Sequence, residues 1–217
     1  MTKYLLETRK IVKRFTHRNI QIKAGELIAL IGPSGSGKSS LLHMLSLLEP
    51  PTSGNILFKG KDSKKFTTED KNEIRKNNIS MIFQDNNLLS DFTAIENVLM
   101  PLLIQGKDYE LSKKSAKKIL KEVNLSERTD HFPSELSGGE QQRVAIARAL
   151  ITKADLILAD EPTGNLDFRT SKDIFSYFLK LKKMKKAVLF ATHNRELASK
   201  ADYKLSILDG KIKRVNV

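Results

Sequence analysis

The chain has 217 residues, with 38 lysines and arginines against 25 aspartates and glutamates, so its formal net charge is +13. This length fits one α/β domain, and a content of 40% apolar and 29% charged residues excludes a disordered or membrane-embedded chain. The longest apolar stretch, residues 98–104, is far shorter than the roughly 20 residues that cross a bilayer. The absence of cysteine excludes disulfides and thiol chemistry. We expect no secretory signal and a cytosolic location.

Two lysine-rich segments, residues 180–186 and 113–118, carry much of the positive charge. Apolar residues recur among these lysines, which is typical of the solvated face of an amphipathic helix. Attraction to anionic lipid headgroups is the open alternative. Aromatic residues make up only 6% of the chain and Trp is absent, so the sequence offers no stacking platform for bases and predicts no nucleic-acid partner.

The first predicted elements alternate between strands and helices. Residues 26–31 are an apolar run, predicted as a strand, that enters a glycine-rich turn and a helix over 38–48. Residues 55–59 and 79–83 are the next predicted strands, and the polar segment 69–77 between them is a predicted helix. This alternation is typical of an α/β core.

A mostly helical segment, from about residue 85 to residue 150, interrupts the alternation. It contains predicted helices over 112–123 and 142–151. The residues that we expect to share one face of the first helix are Leu111, Ser115, Ile119 and Val123. We therefore predict a single domain over 1–217, with a helical subdomain at about 85–150 inserted into the α/β core.

The last third of the chain returns to the alternating pattern. Residues 155–159 and 187–191 are short continuous apolar runs, which indicate strands buried on both faces of a parallel sheet. A crossover helix is predicted between them, over 170–183. Two further apolar runs, 203–208 and 211–215, flank Asp209 and Gly210 and predict a β-hairpin.

Residues 32–39 match the pattern G-x-x-x-x-G-K-[ST] between a predicted strand and a predicted helix. The glycines allow consecutive backbone N–H groups to surround an anion at a helix N-terminus. Lys38 supplies positive charge to the β- and γ-phosphates, and the Ser39 hydroxyl suits Mg²⁺. The residues predicted to bind nucleotide here are Gly32, Pro33, Ser34, Gly35, Ser36, Gly37, Lys38, Ser39 and Ser40.

A second chemical signal is a pair of carboxylates, Asp160 and Glu161, at the end of a predicted strand. Ligands bind at the carboxyl edge of open α/β sheets. Taken alone, such a pair is more often a helix cap or a solvated turn. Beside a phosphate loop, Asp160 is predicted to join the Mg²⁺ shell and Glu161 to polarise the attacking water.

Residues 136–141 form a second glycine-containing turn that runs into a helix. The Ser137 hydroxyl could donate to a phosphate, and Gly138 and Gly139 permit close backbone approach. A plain N-cap also explains Ser137 alone. Two phosphate-type turns in one chain are explained if a nucleotide is shared between two copies.

The order of these motifs resembles that of an ATP-binding cassette (ABC) ATPase. The phosphate loop is followed by Gln84 after a strand, by the signature turn 136–141, by Asp160 and Glu161, by Asp167, and by His193 after a strand. The resemblance covers nearly the whole chain. It implies an α/β fold of the P-loop NTPase class, with a RecA-like core, an antiparallel β subdomain and the inserted helical subdomain.

The resemblance also implies ATP and Mg²⁺ as cofactors and a role for each motif. Gln84 would contact Mg²⁺ or the attacking water, and His193 would hold the γ-phosphate in line with Glu161. The signature turn, through Ser137, Gly138 and Gly139, would contact a nucleotide held by a second copy of the chain in a head-to-tail homodimer. Asp167 would belong to the dimer contact.

The pattern leaves two roles open for the residue expected to stack on adenine. Phe15 is the best aromatic candidate, because a flat ring can stack on a purine. The segment around it is several residues shorter than the family pattern, and packing under the β subdomain is its alternative role.

Within the ABC ATPases, residues 91–104 and 131–137 are most similar to the lipoprotein-releasing ATPases. This similarity implies an ATP-hydrolysing subunit, peripheral to the cytoplasmic face of the bacterial inner membrane, that drives lipoprotein release. Its partners would be integral permease subunits of LolC/LolE type, docked in a groove lined by 84–100, with lipoprotein contacted only indirectly. MacB-type export ATPases, FtsE-type cell-division ATPases and, less favoured, solute-importer ATPases are the alternatives.

Overall fold

The computed structural model describes residues 3–12, 19–164 and 166–216. Helices and strands alternate along most of this part of the chain. The strands are β1 (Leu6–Val12), β2 (Gln21–Ile22), β3 (Leu27–Ile31), β4 (Ser53–Phe58), β5 (Lys61–Asp62), β6 (Ile79–Ile82), β7 (Leu156–Asp160), β8 (Ala187–Ala191), β9 (Tyr203–Leu208) and β10 (Lys211–Asn216). The α-helices are α1 (Lys38–Leu45), α2 (Thr68–Asn77), α3 (Ala94–Ile104), α4 (Tyr109–Glu122), α5 (Gly138–Ile151), α6 (Phe168–Lys183) and α7 (Arg195–Ala198).

The larger sheet sets the position of the functional residues. Its strand order is β10-β9-β3-β8-β7-β6, in which β9, β3, β8, β7 and β6 run parallel and β10 pairs antiparallel with β9. The carboxyl ends of the parallel strands therefore meet at one edge. The phosphate loop follows β3, Gln84 follows β6, Asp160 ends β7 and His193 follows β8.

The smaller sheet is antiparallel, with the order β2-β1-β4-β5. An apolar core lies on each face of the larger sheet, because successive side chains of a strand point to opposite faces. Leu27 and Ala29 of β3 face one core, which includes residues of α3, α4, α5 and α6. Ile28 and Leu30 face the other core, which includes residues of α1 and the small sheet.

The helices α3, α4 and α5 follow β6 and precede β7 in the sequence, and they pack against one another. Thr93 begins α3 with a capping box, in which its hydroxyl accepts from the Glu96 N–H and Glu96 accepts from the Thr93 N–H. Asp108 caps α4 by accepting from the Leu111 N–H at 2.9 Å. None of the helices in the described segments is long and apolar enough to cross a membrane.

The predicted face of α4 is wrong at its start. Leu111 is 67% exposed and Ser115 is exposed, whereas Ser112, Ala116 and Leu120 are buried. The small side chains of Ser112 and Ala116 permit α4 to pack closely on its helical neighbours. The buried stripe therefore lies one position further along the chain than the pattern of larger apolar residues predicts.

Several predicted boundaries also differ from the structure. The helix predicted over 38–48 ends at Leu45, because Leu47 adopts a left-handed backbone with φ 61°. The helix predicted from residue 142 begins at Gly138, so the signature turn is its first turn. In the lysine-rich segment 180–186, two side chains make ion pairs: Lys182 with Asp202, and Lys186 with Asp155 at 2.9 Å. That segment is therefore only partly a solvated helix face.

Candidate functional site

The phosphate loop is shaped by two glycines with different tasks. A β-carbon at Gly32 would lie 2.5 Å from the carbonyl oxygen of Ile207 and 2.7 Å from Ser36 Oγ, so a larger residue does not fit there. Gly37 begins α1 with φ 96°, a left-handed conformation that favours glycine, and no side chain caps the helix at that point. The first N–H groups of α1 are therefore left without a side-chain acceptor, as an anion-binding helix start requires.

The Lys38 ammonium is held by the same loop. Its Nζ donates to the carbonyl oxygens of Gly32 at 3.0 Å and Pro33 at 3.2 Å, and the residue is only 7% exposed. An ammonium has three donors, so one remains for a phosphate oxygen. Ser36 Oγ is buried without a hydrogen-bond partner among the described residues, which also fits a loop that binds an anion.

The acid pair lies at the end of β7. Asp160 is the last residue of the strand and is 4% exposed. Glu161 leaves the strand with φ 45°, and its N–H donates to the Ala191 carbonyl of β8 at 3.2 Å. A left-handed backbone at a non-glycine residue costs of order 1–3 kcal/mol and persists where the surrounding structure holds it. Here it directs the Glu161 side chain to the edge of the sheet where the phosphate loop lies.

His193 contacts the Glu161 carboxylate twice. Its Nε2 lies 3.1 Å from Oε1, and its backbone N–H donates to Oε2 at 3.3 Å. The pairing of Asp160 with Ala191 in adjacent strands brings the two segments together. The His193 side chain is 59% exposed, so it remains accessible from the cleft that it lines.

A cleft of about 880 Å³ collects these groups at the carboxyl edge of the sheet. A volume of this size is typical of sites for nucleotide-sized ligands. Its lining consists of Pro33, Ser34, Gly35, Ser36, Gly37, Lys38, Ser39, Ser40, Gln84, Asp85, Asp160, Glu161, Gly164, His193, Asp209 and Gly210. The structure thus places Gln84, three strands away from the phosphate loop in the sheet, in the same cleft as that loop.

Four lining residues were missed by sequence reasoning: Asp85, Gly164, Asp209 and Gly210. Asp209 and Gly210 were interpreted only as a hairpin turn. The signal that could have found them is strand order, because β9 is the parallel neighbour of β3 and its end lies beside the phosphate loop.

Three oxygen-bearing side chains that suit Mg²⁺ share this cleft: Ser39, Gln84 and Asp160. The part of the chain that the structure describes contains no cluster of three or more His, Asp or Glu that could hold a metal ion by itself. The donor set therefore fits a cation that completes its shell with phosphate oxygens and water, as Mg²⁺ commonly does.

The signature turn lies elsewhere. Ser137 begins α5 and its hydroxyl accepts from the Glu140 N–H at 3.3 Å, while Glu140 Oε2 accepts from the Ser137 N–H and hydroxyl, both at 2.8 Å. These bonds, together with Arg128 at 3.0 Å, lower the pKa of Glu140 to about 2. Ser137 and Gly138 are exposed, Gly139 is half-buried, and none of these three residues is part of the described lining of the cleft.

Asp167 and Phe15 are the remaining predicted site residues. Asp167 caps α6, accepting from the N–H groups of Arg169 and Thr170 at 3.0 Å, and the Thr170 hydroxyl bond lowers the pKa of the Asp167 carboxyl. Asp167 is exposed and lies outside the described cleft lining. Phe15 lies outside the residues that the structure describes.

A phosphate loop after β3 and an acid pair after β7, in one parallel sheet, define a P-loop nucleotide-binding protein. The family described as "ABC transporter" matches residues 15–164, and the chain belongs to this family.

The chain is similar to curated lipoprotein-releasing system ATP-binding proteins LolD. It is 47% identical to the proteins of Rickettsia bellii (strain RML369-C) and Rickettsia felis (strain ATCC VR-1525 / URRWXCal2), over 94% of this chain and 92% of theirs. A solved dimer of the ATP-binding cassette MJ0796 in a post-hydrolysis state, bound to ADP and Pi, is similar with a TM-score of 0.93 and 32% identity, over 97% of this chain and 98% of that one. The predicted ABC ATPase fold and the resemblance to lipoprotein-releasing ATPases are confirmed.

Proposed function

We propose that the chain is the ATP-binding and ATP-hydrolysing subunit of an ABC transporter complex that drives lipoprotein release from a bacterial inner membrane. One observation carries the enzymatic part: Lys38, Asp160, Glu161 and His193 line a single cleft beside the phosphate loop. The similarity to LolD proteins supports lipoprotein release over the export, cell-division and solute-import alternatives.

ATP binds through the phosphate loop in this proposal. The free N–H groups at the start of α1 and the third donor of Lys38 receive the β- and γ-phosphates. Ser39, Gln84 and Asp160 would hold Mg²⁺, which would neutralise part of the negative charge of the phosphates. Phe15 remains the proposed partner of the adenine ring.

Hydrolysis depends on the contact between Glu161 and His193. The Glu161 carboxylate accepts a hydrogen bond from the attacking water and orients it toward the γ-phosphate. The His193 backbone N–H holds the carboxylate at Oε2, and the His193 ring lies beside Oε1 at 3.1 Å. Because its ring is exposed to the cleft, His193 is also placed to donate to a γ-phosphate oxygen.

A second copy of the chain completes the site. The signature turn (Ser137, Gly138 and Gly139) is exposed at the start of α5 and lies outside the described lining of its own cleft. In a head-to-tail homodimer, the turn of one protomer meets the nucleotide held by the other, and Asp167 lies at the contact between the two. The similarity to the cassette MJ0796, which was solved as a dimer, supports this arrangement.

The complex partner is an integral permease on the membrane side. We propose that one of its helices enters a groove of about 510 Å³ formed by α2, β6, α3 and α5, which includes the apolar side chains of Met81, Pro101 and Ile104. The described lining of this groove lies outside residues 84–100, so this proposal moves the docking surface away from the one expected from the sequence. Ile104 is 60% exposed, which leaves apolar surface for a partner. The chain would then be one domain over 1–217, peripheral to the cytoplasmic face, with a helical subdomain at about 85–150 formed by α3, α4 and α5.

Glu161→Gln tests the catalytic assignment. This change keeps the shape of the side chain and a hydrogen-bonding oxygen but removes the general base, so ATP should bind and stay unhydrolysed. We expect turnover to fall at least a hundredfold while ATP affinity is retained, measured by phosphate release and by isothermal titration. Because the bound γ-phosphate bridges two protomers, the variant should elute as a dimer with ATP and as a monomer with ADP.

Glu69→Gln is the matched control, because Glu69 is exposed in the first turn of α2 and lies outside the described cleft lining. It should hydrolyse ATP at the wild-type rate. Wild-type turnover in Glu161→Gln would contradict the role of Glu161. Crosslinking of the reconstituted complex provides the dimer readout if the isolated chains associate weakly.

A test of lipoprotein release requires the complex of the chain with its membrane permease. Capture of the chain from detergent-solubilised native membranes should yield integral proteins with large periplasmic domains. A multi-span solute permease in their place would contradict lipoprotein release. Reconstituted with that permease in proteoliposomes, the wild-type chain should release a lipoprotein on addition of ATP, and Glu161→Gln should not.

A further inference from the structure

Arg148 of α5 holds two consecutive carbonyl groups of the loop that follows β6. Its Nη1 donates to the Asn87 carbonyl oxygen at 2.7 Å and its Nη2 donates to the Asn86 carbonyl oxygen at 2.6 Å. Bonds from a charged donor are stronger than neutral ones, and the planar fork of arginine fixes both acceptors at once. Gln84 lies only two residues before Asn86 in this loop and lines the nucleotide cleft.

The loop does not adopt this conformation by local preference alone. Asn86 and Asn87 both have left-handed backbones, with φ 61° and 46°, which are unfavourable for non-glycine residues although asparagine tolerates them best. Asn86 is 7% exposed and its side-chain Oδ1 is buried without a hydrogen-bond partner among the described residues. The Arg148 guanidinium is therefore a principal external support for the turn.

A second residue anchors the other end of the loop. The fully buried Asn97 of α3 donates to the carbonyl oxygens of Leu89 and Phe92 and accepts from the Leu89 N–H at 2.8 Å. The loop is thus fixed at 86–87 by α5 and at 89–92 by α3. The position of Gln84 relative to the cleft depends on the first of these anchors, because it is the nearer in sequence.

The helix that carries Arg148 begins at the signature turn. Ser137 and Arg148 are separated by eleven positions of α5, or roughly 16 Å at about 1.5 Å per residue. Arg148 is half-buried, and burial lowers the pKa of its guanidinium. A rigid helix therefore connects the signature turn at one end with the Gln84 loop near the other.

We infer that Arg148 is a positioning residue for ATP hydrolysis: its fork holds the loop 84–87 so that Gln84 enters the nucleotide cleft in a fixed register with the signature helix α5. This inference rests on the proposed function. Arg148 itself is not among the described cleft-lining residues, so it acts through Gln84 and not on the nucleotide.

A double-mutant cycle tests whether Arg148 acts through Gln84. Arg148→Gln should lower kcat roughly tenfold or more, because a small displacement of a positioning group has effects of this size or larger. In a Gln84→Ala background, the same change should lower kcat less than twofold, because the group that it positions is already gone. Residues that act independently give the same factor in both backgrounds.

Arg75→Gln is the matched control. Arg75 also donates to a backbone carbonyl, that of Leu47 at 2.8 Å, but Leu47 lies in the turn after α1 and is not part of the loop 84–87. Its effect on kcat, whatever the size, should be the same with and without Gln84→Ala. Arg148→Lys keeps the charge without the fork, so it should give a smaller loss of kcat that also disappears in Gln84→Ala, and it carries the test if Arg148→Gln does not fold.

Amide hydrogen exchange separates this role from a general loss of stability. In either Arg148 variant, exchange should accelerate at residues 84–89 and stay unchanged in α4. Equal kcat factors in both backgrounds, unchanged kcat in Arg148→Gln and Arg148→Lys, or faster exchange throughout the chain would overturn the inference. If the wild-type chain did not hydrolyse ATP, or if Glu161→Gln hydrolysed it at the wild-type rate, the proposed function would be contradicted. Failure of the inference about Arg148 is therefore distinguishable from failure of the proposed function.

Discussion

The phosphate loop and the signature turn are both glycine-containing turns at the start of a helix, yet their hydrogen bonding is opposite. At Gly37 no side chain caps α1, so the first N–H groups of that helix are directed to the cleft without a side-chain acceptor. At Ser137 a capping box satisfies the start of α5, because Ser137 and Glu140 bond to each other in both directions. The first turn is built to receive an anion, and the second is already satisfied.

The two turns also differ in their surroundings, because one lies in a cleft and the other on open surface. The phosphate loop lies in a cleft whose walls come from the ends of several parallel strands. The signature turn is exposed, and a β-carbon at Gly138 would meet no described heavy atom within 4 Å beyond its chain neighbours and its own helix backbone. One turn can bind a phosphate within a single chain, whereas the other presents open surface that only a second molecule can cover.

The largest effect is expected at the phosphate loop. Lys38→Ala removes the charge that faces the β- and γ-phosphates, so ATP affinity should weaken and kcat/KM should fall at least a hundredfold. Lys118→Ala, which removes an exposed lysine of α4, should leave both values unchanged. Isothermal titration and phosphate release provide the two measurements. Unchanged affinity and turnover in Lys38→Ala would show that the cleft is not the nucleotide site.

The strands of the core were well predicted from sequence. Residues 187–191 and 203–208 match β8 and β9, and residues 79–83 exceed β6 by one residue. Continuous apolar runs bounded by polar residues leave few alternatives for strands buried on both faces. The predicted ABC ATPase fold was correct for the same reason, since its motifs occur at fixed places relative to these strands.

What the sequence did not predict depends on packing between distant segments. The burial of Ser112 in place of Leu111 follows from the contact of α4 with its neighbouring helices. The presence of Asp209 in the cleft follows from the pairing of β9 with β3, which brings together residues far apart in the chain. Local periodicity predicts neither the burial of Ser112 nor the position of Asp209. The strand order, once known, predicts the position of Asp209.

The second prediction concerns the open surface of the signature turn. In the Glu161→Gln background, Ser137→Arg should abolish the ATP-dependent dimer, because the larger side chain crowds the turn without contact to the phosphate loop. Single-chain ATP binding should remain nearly intact. Size-exclusion chromatography with light scattering reads the oligomeric state, and Ser126→Arg, on an exposed short turn before α5, is the control. A dimer that survives Ser137→Arg would place the shared surface elsewhere.

The third prediction concerns the capping box itself. Glu140→Gln weakens the bonds to Ser137 and the ion pair with Arg128, so the free energy of unfolding at pH 7 should fall by about 1 kcal/mol. Chemical denaturation gives this value. The phosphate loop has no equivalent cap, so no single carboxylate there has the same effect on stability.

The same variant gives a pH test with a defined sign. The folded structure lowers the pKa of Glu140 from 4.5 to about 2, so its stabilisation is fully present above pH 4.5. As the pH falls from 4.5 towards 2, the wild-type carboxylate becomes protonated and this contribution is lost. The difference in unfolding free energy between wild type and Glu140→Gln should therefore shrink over that interval. A constant difference would show that the bonds of the ionised carboxylate are not its source.

The smallest effect is expected from a carboxylate in the cleft that has no proposed catalytic role. Asp209 lines the same cleft as the phosphate loop, and its negative charge opposes that of ATP. Its backbone has φ 48°, which asparagine adopts as readily as aspartate, so Asp209→Asn removes the charge and keeps the turn. Removal of a repulsion of about 0.5 kcal/mol between exposed charges should lower the KM of Asp209→Asn for ATP about twofold relative to wild type.

The salt dependence of that twofold effect decides its origin. Repulsion between exposed charges is screened as ionic strength rises, so the difference in KM between wild type and Asp209→Asn should fade towards 1 M salt. Asp173→Asn on the exposed face of α6 should leave KM unchanged at every salt concentration. A salt-independent change in KM would mean that Asp209 acts through the shape of the loop, where the Ile207 carbonyl already closes on Gly32. The hairpin turn would then be part of the structure that holds the phosphate loop, and no longer only a charge in the wall of its cleft.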